Sequence, residues 1–320
     1  MNELDKIRDQ LKTLPDLERL ISKIHQLGNV RKDHPESRAI MYENDVYSKK
    51  KIEDFITILN GFMNSNKLLV SLKDTKFKSK LLKSILTINT NDEQKKRTGF
   101  PYLDELLKFY NESFDAEKAK SEGKIIPSNG VNEDYDSAMS DLNDIEKKLK
   151  AHLKEKQREL NCDIKYFGTN KNRYQLEIPE HKCNKLSSEY ELTSSKKGFK
   201  RYWTPEIKEF LQELTDAETR RDQALRDTTK SLFKNFDKHY EVWNRAVQCL
   251  SILDVLVSLA TYVRNAPDAM CRPEIVVLDD ETNINTPFIE IVNGRHPCLT
   301  KTFSGDFIPN DVLIGCEVII

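Results

Sequence analysis

From Asn132 to Leu160 no proline or glycine interrupts the chain, and Tyr135, Ala138, Met139, Leu142, Ile145, Leu149 and Leu153 recur at three- and four-residue spacing. That period lays one apolar stripe along a helix of about 43 Å at 1.5 Å per residue. A second stripe follows later. Thr204-Pro205-Glu206 reads as an N-cap with proline at the first helical position. Ile207, Leu211, Leu214, Ala217, Leu225, Leu232, Phe236, Tyr240, Trp243, Val247, Leu250, Leu253, Leu256 and Leu259 then carry a seam to about Val263. An ordinary globular helix runs about 11 residues, so a bend or break is expected near Asp237. Two such seams serve either a coiled-coil dimer or two arms of one chain packed antiparallel. The intervening segment favours the second, because it lets the chain turn back.

That segment, Cys162 to Trp203, changes period. DIKYF, RYQLEI, EYELT and FKRYW are short aromatic and branched runs separated by GTNKN and SSKKG, the pattern of a small antiparallel sheet. It holds nine cations (Lys165, Lys171, Arg173, Lys182, Lys185, Lys196, Lys197, Lys200, Arg201) against five acids (Asp163, Glu177, Glu180, Glu189, Glu191). The cations gather in the two turn regions, which together would present a compact basic tip to a phosphate backbone, with Asn and Ser adding hydrogen bonds. Lysines also blunt exposed strand edges, and composition alone favours that role.

Elsewhere the helical period governs the N-terminal part. Apolar residues from Leu4 to Leu27 suggest two helices, the second beginning at Pro15; Ser48 is a candidate N-cap for a helix through Phe62; shorter helices are expected over Phe77–Leu86 and Tyr102–Ala119. Beyond Arg264, EIVVL, PFIEIV and VLIGCEVII read as strands of a different domain. The fold class is therefore mainly α: a long antiparallel helical pair with an inserted antiparallel β element at its tip, then strands that begin a different domain. The ranges are 1–160 and 204–265 for the helices, 161–203 for the insert and 266–320 for the last part.

At 38% hydrophobic and 32% charged, the composition suits long, thin helices better than a compact globule. Lys plus Arg (51) and Asp plus Glu (52) nearly cancel, so any basic surface is local. Six scattered cysteines form no CxxC pair, the six histidines no HxxxH, and neither a zinc site nor a secreted disulfide framework is supported. His296 and Cys298 in GRHPC lack a third orienting group, so a structural role is favoured over catalysis. No run approaches the apolar length of a membrane span, and the first residues lack a signal-peptide core. No GxxxxGK[ST] occurs, so the chain is not expected to hydrolyse nucleotide by itself.

Several longer runs carry a resemblance: LPDLERLISKIH, NRYQLEIPE, YELTSSKKGFKRYWTPEI, MCRPEIVVL, GRHPC and DFIPNDVLIG. In order and spacing they resemble the eukaryotic MutS family of mismatch-repair proteins, on its large-subunit branch, over nearly the whole chain. The resemblance implies a lever for the helical parts and a DNA clamp for residues 161–203, with Asn170, Lys171, Asn172, Arg173, Ser195, Lys196, Lys197, Lys200 and Arg201 as the duplex-contacting residues. It implies the first β strands of an incomplete α/β ATPase domain from about Cys271, in which Phe307 and Ile308 would approach an adenine ring. ATP and Mg would belong to the complete family member and not to this chain alone. The implied partners are duplex DNA and the smaller MutS-family subunit, with no membrane, in the nucleus. A helical scaffold that binds a partner through its apolar seams is the alternative.

Overall fold

The computed structural model describes residues 3–28, 46–89, 98–266, 270–276, 287–302, 305 and 307–315. They fall into two units, Met1–Tyr262 and Val263–Ile320.

The first unit has a helical base. Helices α1 (Glu3–Lys12), α2 (Leu17–Gly28), α3 (Val46–Ser71), α4 (Lys80–Leu86), α5 (Asp104–Ser113) and α6 (Ala116–Glu122) surround an aromatic core. Phe55 on α3 stands at its centre, its ring 5.7 Å from Tyr110, 5.0 Å from Phe233 and 5.6 Å from Phe236. Local chemistry sets the boundaries and moves several of them from the sequence reading; the helix expected from Phe77 begins at Lys80, where Ser79 accepts the Leu82 N–H at 3.3 Å. Helix α2 starts at Leu17, after Pro15, because the Asp16 carboxylate accepts the Arg19 N–H at 3.0 Å. Ser48 lies inside α3, which already begins at Val46. The helix expected over Tyr102–Ala119 is two helices, since Phe114 is extended at φ −160° and Asp115 caps α6 by accepting from Glu117 and Lys118 at 3.0 Å.

From the base rise α7 (Glu133–Leu160) and α8 (Pro205–Lys238). Thr204 is the expected cap of α8, accepting from Ile207 N–H at 3.4 Å, and Asn132, not read as a cap from the sequence, accepts from Tyr135 N–H at 3.0 Å at the start of α7. They run antiparallel, because contacts that climb α7 descend α8: Asn132 to Thr228 at 2.8 Å, Asp141 to Arg220 at 2.7 Å, Lys148 to Glu213 at 3.1 Å. Between them Leu142, Ile145, Leu149, Leu214 and Ala217 are buried, so the two seams do meet within one chain. Helix α8 ends at Lys238, and α9 (Tyr240–Arg264) follows after His239, within two residues of the expected break. The Trp243 indole N–H donates to the Phe236 carbonyl at 3.1 Å, which also accepts the His239 N–H at 3.1 Å, so the turn between the two helices is held from both sides. Helix α9 is long and apolar enough to cross a membrane by length and composition. Yet its Trp243, Val247, Leu250 and Leu253 pack in the base. On its other side Ile252, Val255 and Leu259 are exposed.

The insert is a sheet of β1 (Lys165–Phe167), β2 (Gln175–Pro179), β3 (Glu191–Lys196) and β4 (Phe199–Trp203) in the order β1-β2-β4-β3, every neighbouring pair antiparallel. Ile164, Leu176, Ile178, Tyr202 and Ile207 form its buried cluster, with Leu153 and Leu160 of α7 and Leu211 of α8 packed against them.

The second unit contains β5 (Ile289–Gly294) and β6 (Asn310–Ile314), an antiparallel pair, and the short α10 (Leu299–Thr302). The strand expected over EIVVL does not form over Glu274–Val276, and its last two residues lie outside the described ones, as does the end of VLIGCEVII. His296 is structural as expected: its Nδ1 accepts from the Cys298 and Leu299 N–H groups at 3.2 Å, starting α10.

Candidate nucleic-acid interface

Register decides which cations stand together. Phe199 pairs with Pro179 and Tyr202 with Leu176, so the β3–β4 hairpin lies at the Pro179 end of the sheet and the β1–β2 loop at the Gln175 end. The two basic turns are therefore at opposite ends, about 14 Å apart over the five residues of β2. The single compact tip expected from composition is in fact two separate basic points.

The distal point is the hairpin. Lys196 closes β3 against Phe199, leaving Lys197-Gly198 as a two-residue turn with Gly198 at φ +85°, a conformation that favours glycine. Ser195, Lys196 and Lys197 are all exposed. Behind them the strands are fixed by a bulge between Leu192 and Ser194, where Thr193 Oγ1 donates to the Arg201 carbonyl at 2.9 Å. Lys200, half-buried, lies 3.9 Å from Glu180.

The proximal point is the loop of Gly168 to Tyr174. Asn170, Lys171 and Asn172 form a short 3-10 turn and are exposed. Gly168 sits at φ +101°, and a Cβ there would fall 1.8 Å from the Asn172 carbonyl oxygen, so the chain closes tightly on itself. The next residue clasps the loop to the arm: Arg173 donates through both terminal nitrogens to the two oxygens of Glu218, each at 2.8 Å. Trp203 Nε1–H adds a bond to the Arg173 carbonyl at 3.2 Å. The paired guanidinium holds Glu218 below the usual carboxylate range.

Two of the expected contact residues are thus engaged within the protein. Arg173 is spent on Glu218. Arg201 donates through Nε to Glu177 at 2.8 Å, and its guanidinium lies 3.4 Å from the centre of the Phe167 ring, a cation–π stack on the sheet face turned away from the helices. Glu177, Glu218 and Phe167 were not singled out from the sequence. Alternation would have placed Glu177 and Arg201 on one face, but their pairing depends on the register of distant strands.

The sheet is rooted by His152. Its Nδ1 lies 2.9 Å from the Tyr166 hydroxyl, which donates to the Leu149 carbonyl at 3.1 Å, and its ring packs edge-on to Phe210 of α8. Burial, and then the nearby Lys156, lower its pKa, while Glu206, Glu155 and Glu159 pull weakly the other way. A depressed histidine contributes nothing above its ordinary value near 6.5, and below it the unfolded chain takes up a proton that the fold refuses. Acidification from about pH 7 therefore loosens this joint. Amide exchange in residues 165–203, corrected for intrinsic rates, is expected to quicken at pH 5.5 relative to pH 7.5, and His152→Phe to flatten that difference; equal exchange at both pH values would refute it.

Of the expected nucleotide-base contacts, Phe307 is half-buried and Ile308 is 78% exposed.

A basic antiparallel sheet inserted between two antiparallel helical arms is a clamp carried on a lever. A family model described as MutS family domain IV matches residues 130–220, from the start of α7 into α8. DNA mismatch repair protein Msh6 of Homo sapiens is 46% identical over 99% of this chain and 23% of its own length; the Gallus gallus protein is 46% identical over 98% and 24%. A probable Msh6 of Drosophila melanogaster is 36% identical over 98% of the chain and 26% of its own length. The chain belongs to the MutS family of DNA mismatch-repair proteins and is of the Msh6 type. It spans about a quarter of the length of these curated relatives.

Proposed function

We propose that this chain grips duplex DNA without reading its sequence, through the two basic points of the clamp, as part of a mismatch-repair protein. The carrying observation is the distal hairpin, where Ser195, Lys196 and Lys197 stand exposed on a turn fixed by Gly198. Lys171, with the amides of Asn170 and Asn172, supplies the second point. Amines and amides at two places on a rigid sheet suit phosphates, which position a protein without specifying bases. Lys200 adds charge behind the hairpin. Arg173 and Arg201 act mainly as braces that hold the loop and sheet in shape. Arms of 28 and 34 residues convert a small rotation at their base into a larger displacement at the clamp. In the longer relatives that rotation would come from an ATPase using ATP and Mg, and the smaller MutS-family subunit would close the ring, in the nucleus.

Fluorescence anisotropy of labelled duplex, matched and mismatched, tests this reading across a salt series. The wild type is expected to bind both alike. Changing Lys171, Lys196 and Lys197 together to Gln should lower the slope of log K against log salt by about 2.7, at about 0.9 for each phosphate no longer neutralised. A wild type that does not bind, or a variant that binds as well, overturns the reading. The exposed Ile252, Val255 and Leu259 on α9 favour a second reading, a helical scaffold that recruits a partner. Under that reading the triple variant retains every activity.

A further inference from the structure

The outer side of α7 carries a row of cations unrelated to its seam. Lys147, Lys150, Lys154 and Arg158 are all exposed. At 3.6 residues per turn, Lys147, Lys154 and Arg158 fall within about 40° of one another, with Lys150 about 60° to the side. The buried residues Ala138, Ile145 and Leu149 lie diametrically opposite. The row spans about 16 Å of helix. Lys182 extends it, donating at 3.4 Å to the carbonyl of Asn161, the residue that caps α7. From there Lys200, beside Glu180, leads to the distal hairpin.

The two arms have nearly the same total charge, six cations against eight acids on α7 and seven against eight on α8, so the contrast between them is local. Glu209, Glu213 and Asp216 are exposed on α8 at spacings of four and three. Helix dipoles favour cations near a C-terminus and acids near an N-terminus, but only within the terminal turn. Lys147 and Lys150 lie more than two turns before the end of α7, and Glu213 and Asp216 more than a turn past the start of α8. Acids do flank the basic row: Asp144 is 2.9 Å from Lys147 and Glu146 3.7 Å from Lys150, both exposed pairs. Such pairs contribute little and are readily exchanged for phosphate. Lys154 and Arg158 have no ion partner among the described residues.

We propose that the outward face of α7 is a second phosphate-binding surface, a track leading from mid-arm to the distal hairpin, so that duplex DNA lies along the α7 side of the clamp and not the α8 side. This rests on the duplex-gripping reading above. At about 3.4 Å per base pair, the α7 row alone matches about five base pairs.

The test compares three variants of the full chain by the same anisotropy titration, with helical circular dichroism as a check on folding. One changes Lys147, Lys150, Lys154 and Arg158 to Gln, which keeps helix propensity. The second is the hairpin and loop triple above. The third changes Glu209 and Glu213 to Gln and Asp216 to Asn. The track variant is expected to lose about tenfold or more in affinity and about 2 to 4 in salt slope, with the α8 variant's slope unchanged. Loss in the triple alone overturns the track and leaves the clamp reading standing. Loss in neither overturns both. A rise in the α8 variant's slope as large as the fall in the track variant's would mean bulk charge and no track.

Discussion

Gly168→Ala is expected to dissolve the proximal loop of the clamp. The added Cβ meets the Asn172 carbonyl oxygen at 1.8 Å, and the backbone at φ +101° already resists any side chain. Both penalties act on the same few atoms, so the loop cannot relax one without worsening the other. Backbone strain of this kind costs about 1–3 kcal/mol, and the clash adds to it. If the loop opens instead, the paired Arg173 and Glu218 separate and the Trp203 indole loses its acceptor. The expected result is a clamp destabilised by about 3 kcal/mol or more, seen as faster amide exchange over residues 165–179, with the base helices unaffected. Duplex affinity should fall with it, because Asn170, Lys171 and Asn172 lose their platform. Exchange unchanged from wild type would show that the loop tolerates another conformation.

The second large effect belongs to the base. Trp243 is fully buried, its indole stacked 4.8 Å from Phe236 at 7° between planes and 4.8 Å from Phe62. Trp243→Ala empties the centre of the aromatic core and removes one of the two donors to the Phe236 carbonyl. Truncation of a large buried aromatic costs about 3–5 kcal/mol. Urea unfolding followed by circular dichroism should place the variant's midpoint well below wild type. Trp243→Phe should recover much of the packing but not the hydrogen bond, and so fall between the two. A stability for the alanine variant within about 0.5 kcal/mol of wild type would mean that the core collapses around the gap.

Long uniform patterns proved the most legible part of this sequence. The α7 and α8 stripes, the Thr204 cap and the break near Asp237 each rest on a pattern within one stretch of chain. Short elements were harder. One residue turned extended at Phe114 splits a helix that periodicity alone would continue, and Asp16 rather than Pro15 opens α2. The clamp strands were readable from their aromatic and branched runs, but their order was not. Since β2 pairs with β4 and not with β3, the two cation-rich turns part to opposite ends of the sheet. Charge counted along a chain says nothing about that separation. Nor could it reveal that Arg173 and Arg201 are occupied by Glu218 and Glu177 from 45 and 24 residues away.

The clamp enters and leaves at one place. Leu160 and Cys162 on the way in, and Trp203 and Ile207 on the way out, belong to a single apolar cluster. For the folding chain, some forty residues of intervening sequence thus behave like a short turn once the sheet has formed. Loop-closure entropy grows with the length of slack between contacts, and here the sheet takes up that slack before the arms must meet. Pairing of α7 with α8 is then nearly a local event, zipping from the clamp towards the base, despite the sequence distance between them. By the same geometry the arms set few demands on what lies inside the insert, whose internal sequence is free to change as long as its two ends remain side by side.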